Sequence, residues 1–177
     1  MTIKQYKAKR NLKKSGEPEA IVKKSKEKPR PSAEAMKKGR PSDFRGRSAR
    51  KIKGFPRFVI HEHHASHHHY DLRLEMNRVL KSWAIPKSPP TKKGIKRLAI
   101  QVEDHPLSYA KFEGEIPEGN YGAGKVEIWD NGTYELIKKT EKEIEFKLNG
   151  KKLKGNFVLI KTRYGNKPEK SWLWVKV

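Results

Sequence analysis

The residues most able to do chemistry in this sequence are its histidines, because six of the seven fall within the nine residues 61–69. A carboxylate and a guanidinium, Asp71 and Arg73, follow within four residues of His69. Imidazole is both a metal ligand and a proton-transfer group near neutral pH. These three side-chain types together indicate a metal-assisted reaction on an anionic group. For a protein this basic, the natural anion is a nucleic-acid phosphate.

Strand spacing decides which of these groups can act together, because alternate side chains of a β-strand share one face. From residue 68 onward the pattern predicts an apolar face that packs in the core: Tyr70, Leu72 and Leu74. The opposite face is a polar row: His67, His69, Asp71, Arg73 and Glu75. In that row His69 and Asp71 are close enough to share a small cation, and Arg73 beside them would hold phosphate oxygens.

The segment upstream supplies a third candidate ligand. His63 lies six residues before His69, across Ala65 and Ser66, where a bend would return it to the same site. Three nitrogen and oxygen ligands leave positions open for water or substrate, as a catalytic metal requires, and this donor set suits manganese or zinc. Two plainer interpretations remain open: a purification tag, although the cluster is internal and interrupted, and a solvated tract that binds metal passively.

The composition bounds the class of protein. The chain has 177 residues and a net charge of +22, which favours polyanionic partners such as DNA, RNA or an anionic membrane. No apolar run approaches the roughly 20 residues of a membrane span, and no hydrophobic segment follows the basic N-terminus. We therefore expect a cytoplasmic monomer with no membrane partner. The absence of cysteine excludes disulfides, cysteine-ligated zinc and thiol catalysis.

The chain divides at about residue 54. Residues 1–54 are rich in lysine, arginine and proline, which predicts a basic, partly extended arm that binds nucleic acid without reading its sequence, or else a solvated tail. Residues 33–40 could form one or two helical turns. Residues 55–177 show about eight short alternating apolar segments and no long helix, which predicts a β-barrel or a sandwich. Turns are expected at 130–132 and 149–150.

A second polar face is predicted in residues 97–105. Arg97, Glu103 and His105 share a strand parity opposite to that of the apolar residues of this segment. If this face lies beside the first one, a second arginine and the seventh histidine reach the same site. The glycine-rich stretch 118–125 is interpreted first as a strand connection, with a phosphate cradle as the alternative.

Five motifs follow one another through residues 57–137: His63-x-x-Ser66-x-x-His69-Tyr70-Asp71-Leu72-Arg73-Leu74-Glu75, Leu80-Lys81-Ser82-Trp83-Ala84-Ile85-Pro86-Lys87, Val102-Glu103-Asp104-His105-Pro106-Leu107-x-Tyr109, Phe112-Glu113-Gly114-x-Ile116-Pro117, and Tyr121-Gly122-Ala123-Gly124. Residues 6–11 and 15–18 supply two shorter ones. In this order they resemble the 3′-phosphoesterase module of bacterial ligase D, the DNA-repair ligase of non-homologous end joining, here as a stand-alone protein.

This resemblance implies a small closed β-barrel that binds a divalent metal, manganese first, with zinc or cobalt as alternatives. The implied reaction trims DNA 3′ ends. A terminal ribonucleoside is removed to leave a 3′-phosphate, and that phosphate is then removed to leave a 3′-OH for repair. The implied partners are a DNA primer-template with a 3′ ribonucleotide or 3′-phosphate end, a DNA ligase and end-joining factors.

Residue roles follow from the same resemblance. It implies three metal ligands: His63, His69 and Asp71. Arg73 and His105 would contact the scissile phosphate, with His105 stabilising the transition state or acting as general acid. Supporting residues are also implied: Lys87, Arg97, Glu103 and Tyr109, with Arg10 and Glu17 from residues 6–18 folded against the site. The sequence departs from the family at Asn11, where aspartate is usual, and at His61, where glutamine is common.

Two other functions are kept beside this one. The charge and the basic arm are compatible with a non-catalytic nucleic-acid-binding module of an end-joining ligase, in which the metal is structural. A metal-dependent nuclease that cuts internally is the third hypothesis. The physiological metal, the balance of the two esterase steps and the nucleophile are not determined by the sequence.

Overall fold

A computed structural model describes residues 2–10, 12–19, 55–165 and 168–177. Asn11, most of the predicted basic arm and the predicted turns at 33–40 lie outside the described residues. Residues 2–10 and 12–19 belong to the same compact unit as the described C-terminal part. The domain boundary at residue 54 therefore stays a prediction.

Short helices and nine strands make up this unit. The α-helices are α1 Ile3–Lys9 and α2 Leu12–Ser15, and 3₁₀ helices span Leu107–Lys111 and Pro168–Lys170. The strands are β1 Arg57–His64, β2 His69–Met76, β3 Val79–Ile85, β4 Lys96–His105, β5 Gly114–Ile116, β6 Gly124–Lys139, β7 Glu143–Gly150, β8 Lys154–Lys161 and β9 Ser171–Lys176.

Eight of the strands close into an antiparallel barrel in the order β1-β2-β3-β4-β9-β8-β7-β6, because β6 pairs back onto β1. The three-residue β5 adds to the start of β6 outside this ring. Closure removes the exposed edges that an open sheet would present. The predicted barrel of about eight strands is thus confirmed, and the sandwich is excluded.

Alternation along the strands fills the barrel interior. On β2 the core residues are those of the predicted apolar face, Tyr70, Leu72 and Leu74, continued by Met76. Large aromatic side chains from the other strands meet them there: Trp83, Tyr134, Phe146, Phe157, Trp172 and Trp174. Burying each such side chain contributes about 1.5–3 kcal/mol relative to leaving it exposed. The polar row of β2 consequently lies on the outer surface of the barrel.

A second, smaller apolar cluster attaches the N-terminal segment to that outer surface. Tyr6 of α1 is fully buried against Leu80 and Tyr109, and its hydroxyl donates a hydrogen bond to the Pro18 carbonyl at 3.1 Å. Because Tyr109 lies in the 3₁₀ helix after β4, this cluster joins α1, β3 and that helix. Residues 2–10 are thereby packed beside the end of β4.

The turn predicted at 130–132 is not formed, and the turn predicted at 149–150 is displaced. Strand β6 runs without interruption through the first, and β7 continues to Gly150, so the β7–β8 turn falls at 151–153. Asp130 holds the β7–β8 turn in this position, because it is buried and accepts the backbone N–H groups of Lys151, Lys152 and Leu153 at 2.8–3.1 Å. The position of this turn is thus set by a carboxylate on the neighbouring strand β6, and not by the turn propensity of residues 149–150.

Replacing Asp130 with alanine is expected to lower the free energy of unfolding by about 3 kcal/mol, because three backbone donors of one turn lose their acceptor. Urea titration followed by tryptophan fluorescence measures the change. Asp130→Asn keeps one acceptor oxygen and should retain part of the stability. A loss under about 1 kcal/mol for the alanine variant would show that water replaces the carboxylate.

Candidate active site

The polar row of β2 faces a cleft of about 270 Å³ on the outer surface of the barrel. Strands β1 to β4 form its floor, and the N-terminal segment, the 3₁₀ helix after β4 and the β5–β6 connection border it. Eight of the residues predicted for the site line this cleft: Arg10, His63, His69, Asp71, Arg73, Glu103, His105 and Tyr109. Glu17 lies behind Arg10, whereas Lys87 and Arg97 are not among the lining residues.

His63, His69 and Asp71 converge as a candidate metal triad. His63 and His69 are cross-strand partners of β1 and β2, and their ring centroids are 4.7 Å apart. The Nε2 atom of His69 lies 3.9 Å from Asp71 Oδ2. One donor atom from each of the three residues falls within 4.8 Å of the other two. This spacing is what a single divalent cation needs to be held by all three.

Backbone carbonyls orient both imidazoles of the triad. The Gly122 carbonyl lies 3.0 Å from His63 Nε2, and the His67 carbonyl lies 2.8 Å from His69 Nδ1. Because a carbonyl only accepts, these ring nitrogens carry the protons, which leaves His63 Nδ1 and His69 Nε2 as lone-pair donors. Such outer contacts fix the tautomer of a metal-ligating histidine. The donor set therefore fits a divalent metal.

The β5–β6 connection supplies one of these contacts and is held close to the triad. Gly124 has a φ of +128°, and a Cβ added there would lie 2.2 Å from the His64 carbonyl oxygen. Only glycine permits that approach, which brings the Gly122 carbonyl up to His63. The glycine-rich stretch is thus a strand connection, as first interpreted, that also orients a candidate ligand.

The protonation states of His63 and Asp71 suit metal binding at neutral pH. Burial lowers the pKa of His63 below its usual range, so its ring is neutral. Burial alone would raise the pKa of Asp71, but Arg73 and the neighbouring histidines outweigh it and lower that pKa. Neutral imidazole and ionised carboxylate are the forms that bind a cation.

Arg73 is held beside the triad by three hydrogen bonds. Its Nε donates to His61 Nδ1 at 3.2 Å, one terminal nitrogen donates to Ser82 Oγ at 2.9 Å, and the other to Asp71 Oδ2 at 3.0 Å. A guanidinium has five N–H donors. Among the described residues these bonds use three, which leaves one N–H on each terminal nitrogen. That pair is the fork that matches two phosphate oxygens.

His61 and Ser82 position Arg73, and neither was assigned a definite role from the sequence. Both are fully buried. The available signal for His61 was its strand parity with His63, and for Ser82 it was a lone hydroxyl within an apolar strand. Burial, followed by the charge of Arg73, lowers the pKa of His61 to about 3. A neutral His61 can accept the Arg73 N–H at neutral pH.

Arg10 brings a second guanidinium to the cleft from outside the barrel. It is held much as Arg73 is: Nε bonds Glu17 Oε1 at 2.9 Å, and a terminal nitrogen bonds Glu103 Oε1 at 2.7 Å. Its other terminal nitrogen lies 3.3 Å from His105 Nε2. The guanidinium also stacks over the Tyr6 ring at 4.3 Å. Two buried carboxylates thus fix an arginine that residues 2–10 contribute.

His105 lies between the two arginines and is neutral. Its Nδ1 lies 2.9 Å from the Glu103 carbonyl and so carries the proton, which leaves Nε2 to accept from Arg10. Burial, then the charges of Arg73 and Arg10, lowers the pKa of His105 well below its usual value. Tyr109 packs edge-on against the His105 ring, and the Arg73 guanidinium lies 4.7 Å from the Tyr109 centroid.

The expectation that Arg97 shares a face with Glu103 and His105 is wrong. Leu80 and Ser82 of β3 pair with His105 and Val102 of β4, so β4 has an extra residue between them and its parity inverts. Arg97 has the parity of the core residue Ala99, and its Nε donates to the Ser88 carbonyl at 2.7 Å. Lys87 is exposed in the β3–β4 connection. Neither cation reaches the cleft.

The buried neutral histidines predict acid lability. Because folding lowers the pKa of His61 and His105, the unfolded chain binds more protons below about pH 6.5, and stability present above that pH is lost as the pH falls. Each histidine should remove roughly 1 kcal/mol per pH unit in that range. Urea unfolding of the EDTA-treated protein from pH 7.5 to 4.5 measures the slope.

His61→Gln is the control for this prediction, because glutamine keeps an acceptor for Arg73 and does not titrate. This variant should show a smaller slope than the parent between pH 6.5 and 4.5, and the slope that remains comes from His105 and His63. The lowered carboxylate pKa values of Asp71 and Glu103 act only at more acidic pH. A free energy of unfolding that stays constant from pH 7 to 5 would contradict the neutral state of both rings.

Fold and site together define a class of protein: a small β-barrel whose outer cleft joins a divalent-cation donor set to two buried arginines. A family model described as the DNA ligase D 3′-phosphoesterase domain matches residues 61–161. The chain belongs to that family, which confirms the resemblance. Among the described residues, no helix has the length and apolar character of a membrane span.

Curated relatives agree with this assignment. The chain is 45% identical over 159 residues to the multifunctional non-homologous end joining protein LigD of Pseudomonas aeruginosa, covering 83% of this chain and 18% of that protein. It is 52% identical over 109 residues to the LigD end-joining DNA repair protein of Mycobacterium tuberculosis, and 44% over 128 residues to that of Mycolicibacterium smegmatis. These matches cover 59% and 66% of this chain, and 14% and 16% of the relatives. The chain therefore corresponds to a small part of each relative.

Proposed function

We propose that this chain is a metal-dependent phosphoesterase that processes DNA 3′ ends. It removes a 3′-terminal ribonucleoside by phosphodiester hydrolysis and a 3′-phosphate by phosphomonoester hydrolysis, which leaves a 3′-OH for repair. The family assignment supports phosphate-ester chemistry, and the end-joining titles of the relatives support a repair context with a DNA ligase. The net charge of +22 supports a nucleic-acid substrate.

One observation carries the proposal. Asp71 Oδ2 accepts from Arg73 at 3.0 Å and lies 3.9 Å from His69 Nε2, so one carboxylate oxygen adjoins both the guanidinium and the metal donors. A phosphate bound there would meet a cation and an arginine fork at once. The donor set of two imidazoles and one carboxylate suits manganese, with zinc or cobalt as alternatives. A bound metal would polarise a phosphoryl oxygen and lower the pKa of its water.

The side chains of the cleft would divide the remaining work. Arg73 and Arg10 would offset the charge that develops on the phosphoryl oxygens, from positions fixed before substrate binds. Glu17 and Glu103 hold Arg10, and Tyr109 packs on Arg73. A neutral His105 would keep Arg10 in place by accepting its N–H at Nε2. For His105 to contact a phosphate oxygen or act as general acid, Nε2 would have to carry a proton. Lys87 and Arg97, outside the cleft, would contact DNA away from the scissile bond.

The assay uses two primer-templates, one ending in a single 3′ ribonucleotide and one in a 3′-phosphate, each with EDTA or with Mn²⁺, Zn²⁺ or Co²⁺. We expect metal-dependent shortening of the first primer and loss of phosphate from the second. No product from either primer with any of the metals would overturn the proposal. A circular single strand controls for internal cutting, because an end-processing enzyme has no end to act on there.

A further inference from the structure

The other face of the β1–β2 hairpin carries a second group of potential ligands. We propose that Glu62, His64, His68 and Glu127, here called the seam cluster, form a second metal site that takes a zinc-type divalent ion. Glu62 and His64 flank the triad residue His63 along β1 and so point to the opposite face. The site is therefore separate from the cleft.

Donor geometry supports this assignment. One ligand atom from each of Glu62, His64 and His68 lies within 4.8 Å of the other two. His68 Nε2 lies 2.8 Å and His64 Nε2 4.0 Å from the same oxygen, Glu62 Oε1. Glu127 Oε2 approaches His64 Nε2 to 3.7 Å. Histidine nitrogens and glutamate oxygens are both zinc ligands, and four of them can complete a tetrahedral site.

Several features indicate that these groups are arranged and not merely exposed. The Tyr70 hydroxyl donates to Glu62 Oε1 at 2.9 Å and fixes that carboxylate, as an outer contact of a metal site does. The His64 and His68 rings stack at 4.8 Å, so both approach the carboxylate from one side. Glu62 and Glu127 are direct cross-strand partners, an arrangement of like charges that is unfavourable without a cation.

Chemistry favours a borderline ion over a hard one. Two imidazoles with two carboxylates bind first-row metals in the order that places zinc and copper above manganese. Lys125, which pairs with Glu127 Oε1 at 2.9 Å, leaves the other oxygen of that carboxylate for the ion. The metal triad has three protein donors and leaves coordination positions open for water or substrate. The seam cluster offers four protein donors, so it needs no further ligand.

The location suggests what such an ion would do. The seam cluster joins β1, β6 and the turn after β1. The pairing of β1 with β6 is what closes the barrel. The turn at 65–68 connects His63 to His69, two of the three triad residues. An ion at the seam cluster would hold that turn closed from the face opposite the cleft. We expect it to raise the unfolding temperature without contacting substrate.

The test compares the full chain with the double variant His64→Ala/His68→Ala and with His67→Ala as matched control. His67 lies in the same turn and exposes its ring, but it is not part of the cluster. After EDTA treatment and dialysis against Zn²⁺ alone, bound zinc is counted by mass spectrometry. The double variant should bind one zinc ion fewer per chain than the parent and His67→Ala. Zinc should also raise the unfolding temperature of the double variant by less than it raises that of the parent or of His67→Ala.

Imidazole NMR spectra provide a second measurement that does not depend on the variants folding. Zinc should shift the ring nitrogen signals of His64 and His68 together and leave that of His67 unchanged. Equal zinc stoichiometry in parent and double variant would overturn the proposal. Equal losses in the double variant and His67→Ala would also overturn it, because they indicate dispersed binding along a histidine-rich tract. The result does not depend on turnover, so it stands apart from the proposed function.

Discussion

His69→Ala is expected to lower turnover of a 3′-phosphate primer by about 10³-fold, because the several kcal/mol that a bound metal supplies to the transition state are lost. His69 faces His63 across the hairpin and lies 3.9 Å from Asp71, so its removal leaves two donors. Steady-state kinetics with Mn²⁺, together with calorimetric titration of the metal, measures both effects.

This variant also distinguishes between two hypotheses: a metal-dependent enzyme, and an accessory module in which the metal is structural. The His69 side chain is about a quarter exposed and, within the part of the chain that the structure describes, its Nδ1 bonds only the His67 carbonyl. The metal-free variant should therefore lose less than about 1 kcal/mol of stability. DNA affinity should stay close to that of the parent, and His67→Ala should behave as the parent does. A variant that is strongly destabilised but retains turnover would favour the structural role.

Arg73→Lys is expected to lower kcat by about 10²- to 10³-fold, because two charge-assisted hydrogen bonds to phosphate are replaced by one point charge. Lysine has three donors on one nitrogen and cannot bond His61, Ser82 and Asp71 while also presenting a fork. The effect should fall mainly on kcat, since the guanidinium acts on charge that develops in the transition state.

Arg57→Lys is the matched control for that substitution. Arg57 lies on β1 on the same outer surface, but it is half exposed and pairs with Glu75 away from the cleft. Its replacement should leave kcat unchanged, since exposed pairs contribute little. Both variants are assayed below their unfolding temperatures, with the folded fraction measured by circular dichroism. A kcat within about threefold of the parent for Arg73→Lys would exclude the proposed contact with phosphate.

The hairpin that carries the metal triad was predictable because its geometry is local. Strand parity alone places His69, Asp71 and Arg73 on one face, and two strands joined by a short turn bring His63 opposite His69. The same alternation correctly predicts the apolar face of β2 and a barrel of about eight strands. Short-range periodicity sufficed wherever the partners lay within one hairpin.

Tertiary structure alone decided the features that depend on distant strands. An extra residue in β4 separates Arg97 from Glu103 and His105, and no local pattern announces it because the pairing with β3 defines it. Asp130 sets a turn 21 residues away, and Arg10 meets Glu103 across 93 residues.

The sequence by itself therefore predicted which side chains are candidates for the chemistry and that a barrel carries them. Strand pairing decided which of them share the cleft, because alternate residues stay on one face only where a strand has no extra residue relative to its partner. The histidine cluster is divided between two faces, because strand alternation places His63 in the cleft and His64 in the seam cluster. Barrel closure then brings Glu127 of β6 next to His64. Residue spacing along one strand determines which side chains share a face. Only the closed sheet determines which residues of other strands lie against that face.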